Sequence, residues 1–170
     1  MPRGGCSGWG RLLAKVDVRA FGIGRSRNEM LTLDQARTIV DGALEAAAKD
    51  GVPPLGVVVL DEGGAVILAV RQDGASMFRI DVATGKAWGA AAMGVTSRAL
   101  FERAKSNPVF FTSLASTADG RLLAQPGAVL VKDAAGRILG SVGASGGSGD
   151  EDEACCAAGA RAAGFDPGLG

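Results

Sequence analysis

Six residues have the types and settings to do chemistry. Asp152 and Glu153 close a run of four acids at the foot of a glycine-rich corner, GASGGSGDEDEACCAAG at 143–159. Paired carboxylates of this kind can serve as acid and base in proton transfer. Lys86 sits in an apolar helical setting, GKAWGAA at 85–91. It is either a base or anion contact, or a lysine whose stem covers apolar surface while its head reaches water. Arg71 and Asp73 fall in RQDGA at 71–75. Arg71 could bind a carboxylate or polarise a carbonyl with Asp73 orienting it, or the two could be a structural pair that fixes the turn. Ser145 has no histidine to activate it and reads as a hydrogen-bonding group of the corner. Together Arg71, Asp73, Lys86, Asp152 and Glu153 would suit proton-transfer chemistry such as isomerisation, hydration or dehydration.

Absences narrow the field. The 170-residue chain contains no histidine. That removes a Ser-His triad, a histidine base and a histidine-ligated metal from any single chain. The three cysteines, Cys6, Cys155 and Cys156, form no CxxC pair. Adjacent Cys155 and Cys156 would point about 100° apart on a helix, so no disulfide framework is expected. Free thiols point to a reducing, cytoplasmic compartment. Asp150 and Glu153, at i and i+3, read as a solvated face, and no metal site is expected. A formal net charge of zero argues against non-specific nucleic-acid binding. No apolar run approaches the ~20 residues of a membrane span.

The positioning elements follow from periodicity. Residues 1–29 carry six basic residues against two acids with no clear period; they read as a disordered basic extension, or as a stretch upstream of a true start at Met30. The domain is expected over 30–166. It opens with a helix capped by Thr32 and Gln35, with Gly51 at its end and Pro53-Pro54 beyond. GVVVLDEGGAVILAVRQDG reads as a β-hairpin, as does GAVLVKDAAGRILGSVGAS. Between them SMFRIDVATGKAWGAAAMGV and TSRALFERAKSN read as helices, the second ended by Pro108. The stretch from Val109 to Gly127 is expected as loop with a short strand at Arg121–Ala124. A closing helix is expected at about 150–163, where the acids complement the positive end of the helix dipole. Strand runs apolar at most positions imply a sheet covered on both faces. Trp88, Phe101, Phe110 and Phe111 read as core or oligomer contacts. The class is α+β with an antiparallel sheet.

Residues 31–165 resemble the GlcG/HbpS-like, haem-binding or haem-degrading (DUF336-type) family. The likeness rests on VVVLDEGGAVILAVRQDGA, with Arg71, Asp73, Gly74 and Ala75 matching an R-x-D-G-A element. Lys86-Ala87 match a K-A pair; Ser145, Gly146 and Gly147 match S-G-G; Asp152 and Glu153 match D-E. Where the family has a proline in G-G-x-P-I, this chain has Val129. The resemblance implies a five-stranded antiparallel sheet flanked by helices and a homo-oligomer. It also implies binding of haem or a related tetrapyrrole, with Arg71, Lys86 and Ser145 as cofactor contacts and a haem- or iron-linked redox role. With no histidine, the iron ligand would fall to Cys155 or Cys156, a methionine, a lysine, or a hydroxyl such as Thr112 or Ser113. The segment around 107–127 could hold a porphyrin by apolar contact and arginine–propionate pairs.

Overall fold

A computed structural model describes residues 30–169; the expectations for the basic N-terminal segment lie outside them. The first helix, α1 (Leu33–Asp50), begins at the expected capping box. Gln35 N donates to Thr32 Oγ1, the Gln35 side chain accepts from Thr32 N, and Gly51 closes the helix at φ 68°. The first hairpin follows as β1 (Gly56–Asp61) and β2 (Val66–Arg71), turned by Asp61, whose Oδ1 accepts from Gly63 N and Ala65 N. Then come α2 (Arg79–Met93), α3 (Ser97–Ser106) and α4 (Pro108–Thr117). The second hairpin is β3 (Ala128–Lys132) and β4 (Ile138–Ser145), and α5 (Gly149–Ala162) closes the domain.

The strands form one antiparallel sheet in the order β2-β1-β4-β3, so the two hairpins meet along β1 and β4. Alternate side chains point to opposite faces. Val57, Val59, Val129, Val131, Val142 and Ala144 face α1 and α5. Val58, Leu60, Ala128 and Leu130 face Ala83, Ala87 and Ala90 of α2. This double burial is why the strand sequences read as nearly continuous apolar runs instead of alternating. A satellite cluster of Leu100, Phe111, Ala118 and Leu122 ties α3 and α4 to the flank. No helix among the described residues is long and apolar enough to cross a membrane.

Three expectations are corrected. The sheet has four strands, not five. Residues 121–124 are not a strand, because their backbone bonds elsewhere: Leu123 N donates to Gly85 O of helix α2 at 3.1 Å, while Leu122 is buried in the satellite cluster. The first half of the expected loop after Pro108 is helix, and only the second half lacks regular structure. Pro108 ends α3 and also starts α4 at a first-turn position, where its missing N–H costs nothing. Asn107 caps the new helix through Phe110 N at 3.3 Å.

α5 lies unusually close to α1. A Cβ on Gly159 would come within 2.2 Å of Ile39 O, a backbone atom that cannot step aside. Gly159→Ala is therefore expected to destabilise the fold by about 1–3 kcal/mol through overpacking, read as a lowered urea midpoint at unchanged m-value.

Candidate functional site

The glycine-rich corner brings three elements to one point. Lys86, on α2, is 5% exposed. Its Nζ lies 2.8 Å from Asp152 Oδ2 and donates to Ala144 O at 3.1 Å. Asp152, 1% exposed in the first turn of α5, accepts from Gly147 N on Oδ1 at 3.0 Å. A buried charge requires partners of this kind, since an ion without them in the interior costs several kcal/mol. Gly127 covers the pair with φ 121°, and a Cβ there would stand 2.5 Å from Lys86 Nζ. Only glycine combines that left-handed backbone with that clearance.

The four acids divide their work. Asp150 pairs with Arg98 Nη2 of α3. Glu151 completes the capping box of α5 by accepting from Ser148 N at 2.7 Å, and that bond holds its carboxyl below the usual range. Asp152 meets Lys86. Glu153 accepts from Arg98 Nε on both oxygens at 3.0 Å. The hydrogen bonds that Arg98 donates to Asp150 and then to Glu153 raise its pKa further. The acids are thus a helix N-terminus, as the dipole argument holds, and also the anchors of two cations from other elements.

A cleft of about 450 Å³ opens over this corner, lined by Arg79, Lys86, Arg98, Ser145, Asp150 and Asp152, with Val82, Phe101, Leu123 and Pro126 as its apolar wall. Lys86, Ser145 and Asp152 thus line one cleft. Glu153 stands behind it, holding Arg98. Arg71 and Asp73 lie apart, at the end of edge strand β2; the Arg71 guanidinium donates to Ala75 O, and the two make no ion pair among the described residues. Arg79, Arg98 and Leu123 were missed. Arg79 could have been found from Lys86, since positions seven apart share a helix face; Arg98 and Leu123 carry no local signal. Leu123 also walls a second cleft of about 370 Å³, lined by Ala104, Pro108, Phe111, Thr112 and Leu122. No cluster of three or more metal-ligating acids or cysteines occurs among the described residues.

Cys155 and Cys156 are buried. Burial pushes the Cys155 thiol up from 9.0 to about 11, and Cys156 well up, with Asp152 adding repulsion to both. These are neutral, inert thiols at physiological pH.

Two predictions follow from this geometry. Lys86→Met leaves the Asp152 charge buried and unpaired and should cost about 3–5 kcal/mol in chemical denaturation. Adding Asp152→Asn, which removes the charge yet keeps an oxygen for Gly147 N, should recover part of that loss. For the thiols, the folded pKa is raised. Their contribution is complete below pH 9, where both states keep the proton. It is lost as pH climbs from 9 through about 11, because the unfolded thiols ionise first. The fall in urea midpoint over that window should be shallower in a Cys155→Ala/Cys156→Ala variant than in the parent.

The geometry can be set beside known proteins. No curated protein matches the sequence. Among solved structures, a double mutant of HbpS from Streptomyces reticuli is 30% identical, with a TM-score of 0.72 over 87% of this chain and 95% of that one. The PduOC:haem complex is 23% identical (TM-score 0.73; 81% of this chain, 98% of that one). The Klebsiella pneumoniae protein ORFY, a DUF336 protein, is 22% identical (TM-score 0.73; 83% and 96%). At that identity the last two show a shared fold. The family profile described as haem degrading protein HbpS-like matches residues 31–161, a span that runs from the start of α1 to the end of α5 and takes in the whole corner. The chain belongs to the HbpS-like family.

Proposed function

We propose that the chain binds haem or a closely related tetrapyrrole across the two clefts that share Leu123. The observation that carries this reading is the pairing of an apolar cleft with a charged one. A tetrapyrrole has the same division, an apolar macrocycle edged by carboxylates. Each cleft falls within the range of small-molecule sites, about 300–1,000 Å³. The S. reticuli relative and the haem-bound PduOC structure support the reading by likeness.

The residues present fit the organic part of the group better than the iron. Cys155 and Cys156 are buried and protonated. Lys86 is committed to Asp152. Thr112 lines the apolar cleft, and its hydroxyl spends its hydrogen on Pro108 O at 2.9 Å, leaving oxygen lone pairs for a ligand. When bound, haem would supply one-electron iron chemistry. The chain's own part is to exclude water from the macrocycle with Phe111, Leu122 and Leu123 and to meet its acids with cations. The working form is a homo-oligomer in a reducing, cytoplasmic compartment.

A second reading is favoured by one observation: Lys86 and Asp152 line the cleft as a preformed acid–base pair. On it the site performs proton transfer on a small substrate, as in an isomerase or a hydratase or dehydratase.

Haemin titration separates the two. A Soret band that sharpens and saturates at a fixed haem-to-chain ratio is expected. Leu123→Glu, which puts a charge in the shared wall, should weaken binding by tenfold or more. A broad, non-saturating free-haemin spectrum would overturn the first reading.

A further inference from the structure

The cations of the cleft are not equivalent. Arg98 is held by Asp150 and Glu153, and Lys86 by Asp152. Arg79 makes no ion pair among the described residues; its Nη1 instead donates to Ser145 Oγ at 3.3 Å. Ser145 is 1% exposed and lines the same cleft. Its oxygen takes the arginine hydrogen, so its own hydroxyl hydrogen is left to give to a third group.

The arginine is also seated deliberately. Gly56 of β1 pairs with Ser145 of β4 across the sheet. A Cβ on Gly56 would come within 2.9 Å of both the carbonyl carbon and Cβ of Arg79. The bare glycine lets the first residue of α2 sit directly on the strand, and the side chain then reaches Gly56's partner. The result is a half-buried guanidinium with spare donors, beside a buried hydroxyl with a free hydrogen. Both are donors, and neither has an acid to satisfy it. A carboxylate accepts from both, since its two oxygens match the arginine fork and leave a lone pair for the hydroxyl.

We propose that Arg79, with Ser145, is the carboxylate anchor of the cleft and selects ligands carrying a free carboxylate. Arg98 does not share the role, because its charge is already spent within the protein. The ligand's identity as a tetrapyrrole rests on the reading above; the requirement for a carboxylate does not. Arg71, the arginine that the sequence motif singled out, is left to fix its own turn.

Two probe pairs test this. The first is haemin against haemin dimethyl ester, which has the same macrocycle and no free carboxylate. Each is titrated into the parent, Arg79→Met, Arg79→Lys and Ser145→Ala. Haemin should bind Arg79→Met about tenfold or more weakly than the parent, the scale of one lost charge-assisted hydrogen-bonded contact. The ester should bind both proteins alike. Arg79→Lys should recover part of the loss, and Ser145→Ala should show a smaller one. The second pair is 2-naphthoate against 2-naphthamide, followed by NMR line broadening. Naphthoate binding that disappears in Arg79→Met sustains the anchor even where haemin fails to bind and the tetrapyrrole reading falls. Haemin binding unchanged by Arg79→Met, equal loss of haemin and ester, or the absence of Arg79-dependent binding with every probe would overturn it. Circular dichroism of each variant confirms that the fold is retained.

Discussion

The buried Lys86–Asp152 pair is the constraint around which the rest is arranged. Two opposite charges are removed from water at the junction of α2, β4 and α5; the ammonium donates to Asp152 and to Ala144 O, and the carboxylate also accepts from Gly147 N. Such a pair need not add net stability over an apolar replacement; what it does is penalise arrangements that separate its members. Sliding β4 by one residue would take Ala144 O away from the ammonium, because a one-residue slip turns every group to the other face. Rotating α5 would take away the carboxylate. The pair therefore specifies register and helix rotation at once. It also dictates the glycine above it, since Gly127 occupies space that any side chain would need.

From that constraint the electrostatics of the cleft follow. A helix N-terminus rich in acids would ordinarily repel an anionic ligand. Here three of the four acids are withdrawn into pairs, two of them with Arg98 and one with Lys86, and the fourth turns back onto its own helix end. Asp152 and Glu153 are buried with their cations, while Asp150 and Glu151 stay exposed, one beside Arg98 and the other on its own helix end. Of the cleft's three cations, Arg79 is the one without an acid among the described residues.

Much of the framework was legible because it is local. Thr32 and Gln35 mark a helix start, and Val57 to Leu60 mark a strand buried on both faces. The small residues Ala87 and Ala90 mark a helix face able to lie close to a sheet, and the structure adds Ala83 to it. The errors have physical causes. Pro108 carries two opposite signals, a stop for one helix and a start for the next, and only the stop was read. Leu122 and Leu123 look like strand residues because they are apolar, yet Leu122 is buried in the cluster with Leu100 and Phe111, and Leu123 bonds to Gly85 of α2 and walls the clefts. The site itself was half legible: the types of Lys86, Ser145 and Asp152 drew attention, but their partners lie dozens of residues away. Arg98 joins Glu153 across 55 positions and Lys86 joins Asp152 across 66. No periodicity encodes such pairs.

The missing histidine shapes what a bound tetrapyrrole would experience here. Strong axial ligation gives a haem protein much of its affinity and fixes its redox potential. Among the described residues, Cys155 and Cys156 are sealed and protonated, the cleft lysine is paired, and the hydroxyl of Thr112 is a weak donor to iron. On the proposed reading, affinity must then come from burial of the macrocycle against Phe111, Leu122 and Leu123 and from the carboxylate at Arg79. Both terms are indifferent to the metal. A site built this way would hold the ring firmly and the iron loosely, which suits transient custody of a tetrapyrrole better than the tuning of a permanent redox centre.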